Sequence, residues 1–214
     1  MLLSTAFLPP VSWFAAAAKD FTLSPDRVFP SVVDLEACEH YQKQSWRNRC
    51  CIFTANGVES QLVPVVHGAD LYHRVITEVQ VDYSVPWVTK LERALASAYE
   101  SAPFFEDYAG GIFAILESRP ERLWDLDLQL IRHIAGRIGL PLEIRPTAVW
   151  QPQAQDDFRN VIHPKRKQTL LKDWGLEKPY FQVFAGKYGF QSDLSVVDLL
   201  FHEGPDSILY LKSL

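Results

Sequence analysis

The order of apolar and polar residues predicts that the chain opens with a strand and a helix. Residues 2–8 form a short apolar run that is typical of a buried strand. Pro9 and Pro10 follow, where a first helical turn tolerates proline, and the next residues include Trp13, Phe14 and four alanines. We therefore predict a strand, a proline turn and a helix, and then a second apolar strand over residues 28–33.

A β-hairpin is predicted in the next part of the chain. Residues 49–55 and 58–66 are the predicted arms, which Asn56 and Gly57 join, and this dipeptide favours the two-residue turn between antiparallel strands. Residues 76–81 alternate between two faces. Alternation of this kind predicts one further strand with one face in the core.

The rest of the chain is predicted to be helical first and mixed afterwards. Apolar residues recur at helical spacing in residues 87–101, 104–118 and 123–139, and Gly110 and Gly111 weaken the second of these helices. Residues 142–149 and 208–211 are predicted strands, and residues 180–184 are β-prone. Residues 195–202 form a predicted short helix, and residues 151–167 a polar loop.

Length and composition indicate the fold class. The chain has 214 residues, of which 48% are hydrophobic and 22% are charged, which is the balance of a packed globular domain. Strands near both ends with helices between them predict an α/β protein with a mixed β-sheet and flanking helices. We expect one domain over residues 1–214.

Net charge, the N-terminal sequence and the cysteines argue against several classes of protein. The net charge of −5 at pH 7 argues against binding to nucleic acid or to an anionic membrane. Lys19 is the first charged residue, so the start does not match a secretory signal, and no stretch is apolar for long enough to span a bilayer. The three cysteines suit reduced thiols and form no metal-binding motif. These features predict a cytoplasmic protein without a metal site.

The densest group of cations lies within residues 41–49. If that segment is extended, Lys43, Ser45, Arg47 and Arg49 project from one face. A row of cations with a hydroxyl suits a phosphate or a carboxylate, because guanidinium groups bind such oxygens in a bidentate way. The alternative is an edge strand that its charges keep soluble. The residues by themselves favour these two interpretations equally.

Two further groups are candidates for chemistry. Asp198 and His202 lie one helical turn apart, so the carboxylate can orient the imidazole as a general base. The alternative is an ordinary ion pair on the helix surface. Arg159 and Lys165 lie in the polar loop, where functional residues are common, and we predict that they contact the substrate.

Several blocks of the sequence together resemble the WbqC-like protein family. Their order and spacing hold from residue 3 to residue 211. The blocks are TAFLPP at residues 5–10, YQKQSWRNR at 41–49, LVPV at 62–65, AY at 98–99, APFF at 102–105, LSVVDLLF at 194–201 and GP at 204–205.

The resemblance implies a role in the assembly of bacterial surface polysaccharides such as O-antigen. It implies an enzyme that transfers an acyl or aminoacyl group to a nucleotide-activated amino sugar. Lys43, Arg47 and Arg49 would hold the diphosphate of the nucleotide sugar. The alternative is a non-catalytic protein of the same pathway that binds the sugar nucleotide or assists another enzyme.

The transfer reaction that the resemblance implies needs a base and an oxyanion donor. Asp198 with His202 would remove a proton from the amine, and Asn48 would donate to the developing oxyanion. The chain differs from many relatives near Leu91, where they carry a histidine, and at Asp193 and His202, where asparagine is expected. These differences are consistent with a shifted substrate or with binding without catalysis. The sequence assigns neither a cofactor nor an oligomeric state.

Overall fold

A parallel sheet of three strands forms the largest sheet of the protein. The computed structural model describes residues 1–19, 21–24 and 27–214. In the sheet, β4 (Ser31–Leu35) is central, β1 (Leu2–Leu3) lies on one side and β7 (Leu142–Pro146) on the other. Val33 and Leu35 of β4 are fully buried, which explains why the sequence of the central strand is apolar.

Two antiparallel strand pairs accompany the parallel sheet. One joins β2 (Thr22–Ser24) to β3 (Arg27–Phe29), and the other is the hairpin of β5 (Arg49–Thr54) and β6 (Gly57–Leu62). The predicted α/β class with mixed strand pairing is confirmed. The strand predicted over residues 28–33 is divided, because its beginning belongs to β3 and its end to β4.

The first helix, α1 (Val11–Ala18), follows β1 and the two prolines as predicted. The preceding strand is shorter than predicted, because it ends at Leu3 and the chain then turns, with a φ angle of 42° at Leu8. The indole N–H of Trp13 donates to the carbonyl of Ser4 at 3.0 Å. This hydrogen bond fixes α1 against the carboxyl end of β1.

The predicted hairpin is confirmed. In its register Thr54 pairs with Gly57, so the two turn residues are Ala55 and Asn56, one position earlier than predicted. Gly57 has a φ angle of 106°, which glycine adopts without the steric penalty that a side chain brings. The buried side chains of β5, Ile52 and Phe53 among them, join the hairpin to the core.

Three helices follow the hairpin, and their bounds agree closely with the prediction. They are α2 (Trp87–Tyr99), α3 (Phe105–Glu117) and α4 (Leu123–Ile138). Gly139 ends α4 in the left-handed conformation, with φ 79°. A Cβ atom at Gly111 would lie 2.4 Å from the ring of His133. The glycine that was expected to weaken α3 therefore allows α4 to approach it.

Three predictions of extended structure are wrong. Residues 76–81 contain a 3-10 turn, Ile76–Glu78, because Ile76 and Val79 are buried at a spacing of three residues. Residues 208–211 belong to a helix, α8 (Ser207–Lys212), which continues from the 3-10 turn Gly204–Asp206. Residues 180–184 contain no strand.

The remaining elements complete one continuous apolar core. As predicted, α7 (Val196–Glu203) is a short helix and residues 151–167 contain no helix or strand. Two short helices, α5 (Leu170–Asp173) and α6 (Ala185–Tyr188), lie between them. Within residues 1–19, 21–24 and 27–214, no helix combines the length and the apolar character that crossing a membrane requires.

Candidate functional site

Most of the basic segment, residues 41–48, forms a turn and is not extended as the sequence interpretation assumed, whereas Arg49 begins β5. Gln44 has a φ angle of 59°, in the left-handed region, and Trp46–Asn48 is a 3-10 helix. Ser45 is buried, and its hydroxyl donates to the carbonyl of Gln42 at 2.7 Å, which closes the turn. The side chains of this basic turn therefore do not form a single row, and each cation lies in a different environment.

Arg47 points into the protein and is only 3% exposed. Its Nε donates to Glu39 Oε1 at 2.8 Å, and its terminal nitrogens contact Glu39 Oε2, Ser4 Oγ and Gln42 Oε1. Burial raises the pKa of Glu39 although Arg47 opposes this shift. Because protein groups surround the guanidinium, a ligand must displace Glu39 before it can bind Arg47.

Arg159 forms a second buried ion pair. It donates to Glu36 Oε2 at 2.8 Å and to Asp157 Oδ1 at 2.9 Å, and its guanidinium lies 4.4 Å from the ring centroid of Trp150. Hydrogen bonds from Arg159 lower the pKa of Asp157. Lys165, the other residue predicted from this loop, has an exposed side chain. The loop thus places its two predicted cations in unlike surroundings.

Both buried ion pairs lie at the carboxyl end of the parallel sheet. Glu36 and Glu39 follow β4, and Thr147, which follows β7, donates to Glu36 Oε1 at 2.6 Å. Sheets of this kind bind ligands at this edge. The cavity here measures about 10 Å³, which is room for about one water molecule. Glu36 and Glu39 were not among the residues predicted from the sequence, although their position after an apolar strand was a usable signal.

Asp127 of α4 is a further buried acid that the sequence analysis missed. Its Oδ2 accepts a hydrogen bond from the hydroxyl of Thr5 at 3.1 Å, and its Oδ1 has no partner. Burial raises the pKa of Asp127 well above its ordinary value. This carboxyl therefore favours its protonated form.

An open cavity lies between the basic turn and residues 62–72, at the open end of the hairpin, and we call it the hairpin cavity. It measures about 290 Å³, and its lining includes Lys43, Asn48 and Arg49. The Nε of Arg49 is buried, and it has no hydrogen-bond partner within the described ranges. No acid in the described part of the chain forms an ion pair with Arg49 or Lys43. Of the predicted cations, these two are therefore brought together at one cavity.

Aromatic and amide groups complete the wall of the hairpin cavity. Tyr41 and Tyr72 stack with their ring centroids 6.3 Å apart, and Tyr72 is 47% exposed. Burial raises the pKa of Tyr41, so its phenol keeps its proton. The amide nitrogen of Asn48 donates to the carbonyl of Val63 at 2.9 Å, while its Oδ1 is buried without a partner. The cavity can therefore offer cations, an aromatic face and an amide to a ligand.

Asp198 and His202 are close together but are buried inside the protein. His202 Nδ1 lies 2.7 Å from the carbonyl oxygen of Asp198, and its Nε2 accepts the backbone N–H of Val183 at 3.2 Å. Asp198 Oδ1 accepts hydrogen bonds from Tyr180 and Gln182 at 2.6 and 2.8 Å. Neither residue is among the described lining of the hairpin cavity. Their role as a catalytic pair stays a prediction.

The hydrogen bonds of His202 define its tautomer. Because Nε2 accepts a backbone N–H, the ring proton is assigned to Nδ1, which donates to the carbonyl of Asp198. The lone pair that a general base needs is therefore occupied.

The described ranges contain no cluster of side chains that could bind a metal ion. No three His, Cys, Asp or Glu side chains lie close together there, and the three cysteines are free thiols.

These features define a small α/β protein with a cation-lined cavity beside a β-hairpin. The chain belongs to the WbqC-like protein family, whose model matches residues 32–169. That range includes the basic turn and the hairpin, whereas Asp198 and His202 lie outside it. A relative, the uncharacterized protein Rv1507c of Mycobacterium tuberculosis, is 26% identical over 199 residues, which cover 80% of this chain and 84% of the relative. No solved structure matches the chain significantly.

Proposed function

We propose that this protein binds a ligand of the nucleotide-sugar class, with only its diphosphate group inside the hairpin cavity. The observation that carries the proposal is the guanidinium of Arg49, which lines the cavity and forms no ion pair with the described acids. A partly buried guanidinium has a strong preference for an anionic partner, because its hydrogen bonds to charged oxygens are short and strong.

Local charge supports an anion at this position. The protein as a whole carries a net charge of −5, so most of its surface repels anions. In the hairpin cavity, Lys43 adds a second cation to Arg49. Two cations at one cavity match the two phosphoryl groups of a nucleoside diphosphate better than they match a single carboxylate.

The aromatic wall supports a ligand that also carries a planar base. Tyr72 presents an exposed ring beside the cations, and it is backed by the buried ring of Tyr41. Nucleobases stack on such faces with a contribution of about 1–3 kcal/mol. Inorganic pyrophosphate should therefore bind more weakly than a nucleoside diphosphate.

The pathway and the reaction follow from the family resemblance and are part of the proposal. We infer a role in the assembly of bacterial surface polysaccharides, in which the protein binds or presents a sugar nucleotide. Acyl or aminoacyl transfer would need a base beside the acceptor amine. Both ring nitrogens of His202 form hydrogen bonds inside the fold, so His202 is not free to act as that base. The site therefore supports a binding function better than it supports catalysis.

Calorimetric titration of an Arg49→Met variant tests the proposal. UDP-N-acetylglucosamine, UDP and pyrophosphate are titrated into the wild-type protein and the variant. Loss of a charge-assisted hydrogen bond removes about 1.5–3 kcal/mol, which corresponds to an increase in Kd of about 10- to 100-fold. The fold should be unaffected, because the Nε of Arg49 has no partner to lose.

The matched control is Arg132→Met, which removes an exposed arginine from α4, away from the cavity lining. This control should bind as the wild type does, and a shared decrease in affinity would point to net charge alone. The anion site is refuted if the wild-type protein binds none of the three ligands, or if Arg49→Met leaves every Kd unchanged.

A further inference from the structure

A second cavity lies where the N-terminus of α1 meets two loops, residues 161–170 and 190–194. It measures about 250 Å³, and its lining includes Ser12, Trp46, Gln168 and Asp193. We call it the α1 cavity. The described residues that line it and those that line the hairpin cavity are different. The two cavities can therefore be tested separately.

Two side chains in the wall of the α1 cavity have unusual surroundings. Ser12 is fully buried, and its Oγ has no hydrogen-bond partner in the part of the chain that the structure describes. Asp193 accepts the backbone N–H groups of Ser12 and Leu170 through its two carboxylate oxygens, at 2.7 and 3.3 Å. A buried hydroxyl without a partner is costly, and it marks a place where a ligand can complete the hydrogen bonding.

The charges around the α1 cavity argue against an anionic ligand. Arg166 forms an ion pair with Asp173. Lys167 also lines the cavity, is exposed, and forms no ion pair among the described residues. Burial, together with Arg47 and Lys165, lowers the pKa of His163, so its ring is neutral at pH 7. Burial raises the pKa of Asp193 to about 6, so at pH 7 its carboxyl is mostly ionised. This negative carboxylate offsets the positive charge of Lys167, so the lining has little net charge and favours a neutral ligand over phosphates and other anions.

We propose that the α1 cavity binds one ring of a neutral saccharide. Sugar hydroxyls can pair with the hydroxyl of Ser12 and with the exposed amide of Gln168, each of which both donates and accepts. The half-buried indole of Trp46 offers an apolar surface to the C–H face of the ring. The volume is just below the range of about 300–1,000 Å³ for drug-sized ligands, which suits a single ring.

This saccharide site does not depend on the anion site in the hairpin cavity. A neutral sugar ring would bind whether or not a diphosphate binds beside Arg49. The proposal would nevertheless add a second class of ligand to a protein for which we infer a role in polysaccharide assembly. Each site is tested by its own variant and its own probe.

Chemical-shift titration of ¹⁵N-labelled protein tests the saccharide site. N-acetylglucosamine, glucose and galactose are the probes, and backbone amides of residues 161–170 and 190–194 should shift. Ser12→Ala should raise the Kd by about 3- to 10-fold, because one hydrogen bond between neutral groups is lost. Gln168→Ala, at an exposed position, should have a similar effect.

Stability measurements separate a binding role of Ser12 from a structural one. Because its hydroxyl has no partner in the fold, Ser12→Ala should leave thermal stability unchanged or raise it. The control Gln129→Ala, on the exposed face of α4, should keep the wild-type Kd. The proposal is overturned if none of the three sugars shifts these amides, if both variants keep the wild-type Kd, or if pyrophosphate produces the same shifts.

Discussion

Replacement of Arg47 by methionine is expected to destabilise the fold strongly, because Arg47 neutralises a buried acid. The guanidinium is 3% exposed, and it forms an ion pair with Glu39, which is 5% exposed. Methionine keeps much of the apolar volume but removes the charge and all of the hydrogen bonds. Glu39 would then be a buried carboxylate whose main cationic partner is gone.

The size of the effect follows from the burial of both partners. Removing one member of a buried ion pair costs about 3–5 kcal/mol, whereas domains have a total stability of about 5–15 kcal/mol. In urea, this loss should lower the unfolding midpoint by about 1–2 M. An exposed pair such as Arg145 with Glu143 should contribute less than about 1 kcal/mol.

The effect of Arg47→Met should also depend on pH. Burial already raises the pKa of Glu39, and without Arg47 that pKa rises further, because the attraction that opposed the shift is lost. A carboxyl with a raised pKa in the folded state favours folding below its unfolded pKa and loses that contribution as pH rises through its folded pKa. The loss of stability in the variant should therefore be smaller near pH 4 and larger near pH 8.

A double-mutant cycle with Glu39→Gln completes the test. The single variants Arg47→Met and Glu39→Gln each leave one unpaired group in the interior, while the double variant leaves no buried charge at this pair. The double variant should therefore be more stable than the sum of the single losses predicts. The reasoning fails if the midpoint of Arg47→Met moves by less than about 0.3 M, or if the two losses simply add.

Two further predictions concern the backbone and a buried acid. Gly57→Ala should lower the free energy of unfolding in urea by about 1–2 kcal/mol, because a side chain is strained at φ 106°. Gly110→Ala should raise it, because alanine favours the helix and a Cβ at this position of α3 would lie within 4 Å of no described atom. The reasoning requires that the two substitutions change the free energy of unfolding in opposite directions. Burial raises the pKa of Asp193 from 3.8 to about 6, so its contribution favours folding below about pH 4 and is lost as pH rises to about 6. The stability of the wild type relative to Asp193→Asn should therefore fall across that window, and a flat difference would contradict the assignment.

The fold was predictable wherever a local signal determined the structure. Asn56 and Gly57 identified the hairpin, and apolar stripes identified α2, α3 and α4 to within two residues at each end. These signals depend on turn geometry and helical periodicity, which act over a few residues. Residues 208–211 were misassigned because four apolar or aromatic residues fit a strand and a helix equally well until the preceding 3-10 turn is known.

The candidate site was predictable only in part, because burial depends on residues that are distant in sequence. Lys43 and Arg49 meet at one cavity, within the segment that the sequence singled out. Arg159 instead forms an ion pair with Glu36, which lies more than a hundred residues earlier in the chain. No spacing rule relates these two residues. Their parts of the chain are brought together because Asp157 pairs with Leu2 of β1, and β1 pairs with β4.

Arg47 and Arg49 show why the number of cations in a segment does not define an anion site. The two residues are separated by one position, yet the 3-10 turn directs Arg47 toward the acids that follow β4 and Arg49 toward the hairpin cavity. Glu36 and Glu39 lie at the edge where parallel sheets bind ligands. Glu39 forms an ion pair with Arg47 there, and Glu36 forms one with Arg159. An external anion would have to compete with these carboxylates at that edge. Among the residues that the structure describes, no carboxylate pairs with Arg49, so in this acidic protein the position of the acids determines which cation is available to a ligand.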